Sequence, residues 1–73
     1  MIGLTMIKDL ITRTSGLTGK VHTREIEYDP QDYLDWKEGR KLIQNAMPYL
    51  SADDREFLMT GITPEEWEEY FGN

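Results

Sequence analysis

The chain has no cysteine, so disulfide staples, thiolate chemistry and cysteine-ligated zinc are excluded. Seventy-three residues must hold together on packing alone or on self-association. Apolar runs are three or four residues at most, far short of the ~20 a membrane span needs. The opening Met1–Leu10 is broken by Gly3, Thr5, Lys8 and Asp9, unlike the ~7 to 15 apolar residues of a secretory signal. The reading is therefore an intracellular, cytoplasmic chain with no membrane partner. Cations are scarce beyond the first third. Lys8, Arg13, Lys20 and Arg24 against Asp9, Glu25 and Glu27 leave residues 1–28 at +1, whereas residues 29–73 carry −7. The last 22 residues set Arg55 alone against seven carboxylates, so the net charge of −6 is a C-terminal property. Such a surface repels nucleic acid and steers encounter toward basic partners.

What is present is enough for one small core: 38% hydrophobic and 11% aromatic residues argue against disorder throughout. Residues 6–14 and 20–28 are β-branched and alternate, and Ser15-Gly16-Leu17-Thr18-Gly19 supplies two glycines for the turn between them. Residues 6–28 thus read as a β-hairpin. On its second strand His22, Arg24, Ile26 and Tyr28 share one face, with Ile26 and Tyr28 turned to the core. Asp29-Pro30 is a helix start, and the helix is expected over 30–47, bent near Gly39 and stopped by Pro48. Ser51 caps a helix over 52–60, with Gly61 as the left-handed residue after its end and Ile62 in a Schellman contact with Phe57. Thr63, Pro64 and Glu66 form a capping box for a helix over 64–71, with Ile62 stapled onto Trp67. Trp67, Tyr70 and Phe71 share one face of that helix, and a helix so short is expected to dock that face on the body. The fold class is α+β: one domain over 1–73, a two-stranded hairpin packed against three or four short helices.

The residues that could carry chemistry form no constellation. His22 lies between Lys20 and Arg24 without a spaced partner acid and reads as a solvated strand histidine. Neither Ser15 nor Ser51 sits on a nucleophile turn, Gly19-Lys20 leads into a strand rather than a phosphate-binding helix, and no twelve-residue calcium loop exists. The expectation is no catalytic residue, no metal and no cofactor. Lys37, Arg40 and Lys41 beside Trp36 raise nucleic-acid binding, which the net −6 disfavours. The residues left for recognition are the carboxylates Asp53, Asp54, Glu56, Glu65, Glu66, Glu68 and Glu69, read as a solvated acidic face, and the aromatics Trp36, Tyr49, Trp67 and Tyr70.

Residues 42–72, from Leu-Ile-Gln-Asn-Ala-Met-Pro-Tyr-Leu through Ser-Ala-Asp-Asp-Arg-Glu-Phe-Leu-Met-Thr-Gly-Ile-Thr-Pro-Glu-Glu-Trp, resemble the C-terminal signature of small uncharacterised proteins of tailed phages and prophages. Gly-Lys-Val-His-Thr-Arg-Glu-Ile and the Trp36 to Gly39 stretch resemble the same group, so the likeness spans about residues 12–72. It implies a phage-type origin inside a bacterial cell and carries no activity or site residue over. The expected function is a non-enzymatic module binding a host protein with a basic surface, as an inhibitor or modulator of a host enzyme or defence complex. The alternatives are a homodimeric or larger assembly protein and a nucleic-acid mimic using the acidic face.

Overall fold

The two β-branched segments pair with each other. A computed structural model of the chain describes residues 5–72, so the residues read against a secretory signal are covered only from Thr5 onward. The elements are β1 (Ile7–Thr14), β2 (Val21–Tyr28), α1 (Pro30–Lys37), α2 (Ile43–Ala46), α3 (Ala52–Thr60) and α4 (Pro64–Phe71), an α+β arrangement. β1 and β2 are antiparallel with Ile7 opposite Tyr28 and Thr14 opposite Val21. This register places Ile11, Ile26 and Tyr28 on one buried face, and Leu10, Val21 and the bonded Thr12 and Thr23 hydroxyls (2.8 Å) on the exposed face. Alternation along β2 therefore sorts its side chains as the sequence indicates. Gly19, at φ 78°, is the turn glycine of positive φ. Gly16 keeps an ordinary φ and donates its N–H to the Thr60 carbonyl at 2.9 Å, tying the hairpin turn to the end of α3.

Phe57, Ile26 and Met47 are the largest fully buried side chains, and Tyr33 and Trp36 of α1 lean on the cluster around them. Tyr33 bridges Tyr28 (ring centroids 5.1 Å apart) and Trp36 (5.6 Å, edge to face). The continuous helix expected over 30–47 is instead two. Gly39 takes φ 81°, a left-handed conformation that ends a helix rather than bending it. The Arg40 and Lys41 N–H groups then turn back onto the Asp35 carbonyl (2.8 and 3.1 Å), and helix resumes only at Ile43. The Asp35 carboxylate takes Arg40 Nε at 3.0 Å and Gln31 Nε2 at 3.2 Å, which hold its carboxyl below the usual range.

Tyr49 closes this half of the molecule. Its hydroxyl accepts the Asp29 N–H (3.0 Å) and donates to Asp32 Oδ2 (2.9 Å), so the segment after Pro48 is pinned to the first turn of α1. Burial, reinforced by Asp32, pushes the phenol up to about 12. Tyr49→Phe is expected to cost about 1 kcal/mol in urea unfolding at neutral pH, the usual net value of a hydrogen bond whose backbone donor stays within reach of water. A raised phenol contributes stability that is present below its unfolded pKa of 10.0 and lost as pH rises through about 12. The difference between wild type and Tyr49→Phe is therefore expected to shrink above pH 10.

α3 is capped at both ends by its own sequence. Ser51 Oγ accepts the Asp54 N–H at 3.1 Å, and Gly61 at φ 76° donates its N–H to the Phe57 carbonyl at 2.8 Å. The Ile62 N–H goes to the Thr60 hydroxyl (3.1 Å), so the ending is the single-bond left-handed form in place of the expected Schellman pair. No helix among the described residues is long and apolar enough to cross a membrane.

Candidate functional site

α4 begins as its sequence dictates. The Thr63 hydroxyl accepts the Glu66 N–H (3.1 Å) and the Glu66 carboxylate accepts the Thr63 N–H (3.3 Å), a complete capping box. The box glutamate does more than cap. Its Oε2 also accepts the Thr18 hydroxyl at 2.5 Å and lies 2.8 Å from His22 Nε2, so one buried carboxylate, 5% exposed, joins the hairpin turn, β2 and α4. Burial alone would raise its pKa. Bonds from Thr18, His22, Ser15 and the Thr63 backbone outweigh that and hold it at about 2.

Two expectations are corrected here. Glu66 is not part of a solvated acidic face and is not available to a partner or as a phosphate substitute, because the turn and β2 close over it. His22 is not a solvated strand histidine: it is half-buried, and its partner acid arrives from 44 residues away. The Glu66 carboxylate is engaged on both oxygens. Glu66 Oε2 holds Thr18 and His22, Oε1 holds the Thr63 N–H, and the Ser15 hydroxyl caps the turn by accepting the Leu17 and Thr18 N–H groups. The arrangement fastens α4 to the hairpin.

A third correction concerns the face of α4. Trp67, Tyr70 and Phe71 were expected to dock on the body, yet they are 38%, 55% and 61% exposed. The reason is how the helix is attached. Thr63 and Glu66 anchor its first turn, and Glu66 is its one buried residue, so cover falls off along the helix from Trp67 to Phe71. Trp67 and Phe71 stack on each other at 4.8 Å, covering only part of their apolar surface. Glu65, Glu68 and Glu69 are exposed around them.

The other candidate residues scatter. Asp53 is exposed; Asp54 is bonded to Arg24 at 3.0 Å; Glu56 is half-buried. Arg24 lies 5.8 Å from the Phe57 ring centroid, so the Asp54 charge is balanced against the core's edge. Trp36 is half-buried against the core, and Tyr49 offers an exposed ring edge with its hydroxyl already committed. Arg40 and Lys41 face Asp35 (2.9 and 3.9 Å) with about half of each side chain still exposed, and Lys37 lies 5.4 Å from the Trp36 ring centroid, so the basic cluster is paired on one side within the fold.

Between β2 and α4 runs an open groove of about 470 Å³ whose lining includes Lys20, His22, Arg24, Glu65, Glu69 and, at its floor, the 5% exposed Glu66. Its charges are segregated, with Lys20, His22 and Arg24 on the β2 side and Glu65, Glu66 and Glu69 on the α4 side. Among the described residues no three His, Asp or Glu side chains converge as metal ligands would. The sequence did contain one signal for the missed tie: His22 was legible on the inward face of β2, and Glu66 was legible as a capping glutamate. What concentrates unspent binding capacity is therefore α4, with three exposed aromatic rings among three free carboxylates. Compared with protein-family models, with curated proteins and with solved structures, the chain matches none.

Proposed function

We propose that this chain is a small non-enzymatic protein-binding module that presents α4 to a partner protein with a basic rim around an apolar cleft. The observation that carries this reading is the exposure of Trp67, Tyr70 and Phe71 on a helix whose only charged residues are glutamates. Aromatic side chains are where interface energy concentrates, and surrounding like charges steer encounter and exclude wrong partners. A phage-encoded inhibitor or modulator of a bacterial host enzyme or defence complex, acting in the cytoplasm, is the setting that the resemblance of residues 42–72 supports. Nucleic-acid mimicry is the weaker reading. Glu66 is buried and Asp54 is paired, which leaves too few free carboxylates, interrupted by rings, to stand in for a phosphate row.

The test is capture from bacterial lysate by the wild type and two variants. Trp67→Ala with Phe71→Ala is expected to weaken binding of a specific prey at least tenfold. Glu65, Glu68 and Glu69 all changed to Gln is expected to slow association and flatten its salt dependence. Prey bound equally by all three forms would remove α4 from the account.

A further inference from the structure

We infer that a second copy of this chain is one occupant of the α4 surface, seated through a groove that α1, α2 and α3 form without α4. That groove, of about 530 Å³, is lined by Trp36, Arg40, Lys41, Leu42, Ile43 and Met59, and its volume falls in the range of preformed binding clefts (~300 to 1,000 Å³). It has both properties that the α4 face demands. Leu42 and Met59 are mostly exposed, so its wall is apolar and open. Its rim carries two cations, Arg40 and Lys41, while the exposed surface of α4 carries Glu65, Glu68 and Glu69 and no cation. Asp35 and Glu38 bond Arg40 from one side and leave its side chain half exposed, as is Lys41. This inference rests on reading α4 as the docking surface.

The area favours reciprocal exchange, each copy placing α4 in the other's groove. The exposed fractions of the three rings, applied to the ~150 to 250 Å² such rings bury when covered, give about 300 Å² per helix. Counting both surfaces, one contact comes to about 600 Å², the scale of incidental packing, and two come to about 1,200 Å², the lower edge of specific interfaces. Mutual exchange also closes on itself, where a single head-to-tail contact would grow into a filament. A dimer of this size is about micromolar or weaker. It covers the rings that a foreign partner would use, so partner binding and self-pairing compete.

Because the chain has no cysteine, the pairing is testable by crosslinking. Sedimentation equilibrium of the full chain is expected to show a salt-weakened dimer, with Met59→Glu and Phe71→Ser each weakening it at least tenfold; both positions are exposed, and circular dichroism checks that the variants fold. Under mild oxidation an equimolar mixture of Phe71→Cys and Met59→Cys chains is expected to give the mixed disulfide well beyond the roughly twofold excess over either homodimer that random pairing produces. A chain that stays monomeric, a dimer that survives Phe71→Ser, or crosslinks only between like positions would each overturn self-pairing. Loss of lysate capture in the Trp67 and Phe71 variant would still stand in those cases, so failure of this inference is separable from failure of the reading beneath it.

Discussion

Gly61→Ala is expected to destabilise the protein by about 3 kcal/mol, within a range of about 2 to 5, measured by urea or thermal unfolding. Two costs combine. An L-residue held at φ 76° gives up about 1–2 kcal/mol relative to glycine. The added Cβ would also lie 2.3 Å from the Thr14 carbonyl oxygen and 2.7 Å from its carbon. Both are backbone atoms at the end of β1, so the strand must move away from α3, which strains the Gly16 to Thr60 bond as well. Overpacking of that kind costs a further ~1–3 kcal/mol. For 73 residues, total stability is on the order of 4–11 kcal/mol, so the loss is a large share. Gly19 and Gly39 provide the control. Both have positive φ, and a Cβ there meets nothing within 4 Å, so alanine at either is expected to cost only the conformational part, about 1–2 kcal/mol. Equal losses at all three positions would show that α3 and β1 do not meet as described.

The second large effect belongs to Glu66. Its carboxylate is held at about 2, below the ordinary 4.5, by Thr18, His22, Ser15 and the Thr63 N–H acting against burial. A depressed folded pKa contributes stability that is fully present above the unfolded value and lost as pH falls through the folded one. The stability of wild type over Glu66→Gln is therefore expected to be constant above about pH 5, to shrink below 4.5 and to vanish near 2. Asp35 is also held low, by Arg40 and Gln31, so acid unfolding of the wild type alone mixes several carboxylates, whereas the difference between the two chains isolates Glu66. The variant is also expected to free α4 first, giving faster amide exchange in Thr63 to Phe71 than in β2. A pH-independent difference would mean that the Glu66 charge takes no part in fastening α4.

How much of this the sequence contained follows from the range of the forces involved. The hairpin faces were legible because strand alternation is a period of two and Ile26 and Tyr28 obey it. The helix caps at Asp29, Ser51 and Thr63 were legible because their partners lie two or three residues away. Gly39 was legible as an interruption but not as a terminator, since its sign of φ depends on Asp35 drawing back the Arg40 and Lys41 N–H groups. The capping role of Glu66 is legible in the sequence and its burial is not: one oxygen serves its own helix, while the other is claimed by Thr18 and His22, 48 and 44 residues away, a pairing that only the tertiary arrangement creates. The aromatic face of α4 failed for the complementary reason. Periodicity shows that Trp67, Tyr70 and Phe71 share a side; whether a body lies beneath that side depends on the angle at which Glu66 fixes the first turn.

If α4 is the docking face proposed above, its rings stay in water until another protein covers them, and Trp67 reports on that directly. The chain has two tryptophans, so Trp36→Phe leaves Trp67 as the sole emitter, and its quenching by acrylamide can be followed against chain concentration. Ready quenching and red-shifted emission are expected in dilute solution, with protection appearing as concentration rises or as a captured partner is added. Emission that is blue-shifted and shielded from acrylamide in the dilute monomer would place the aromatic face against its own core and contradict the account.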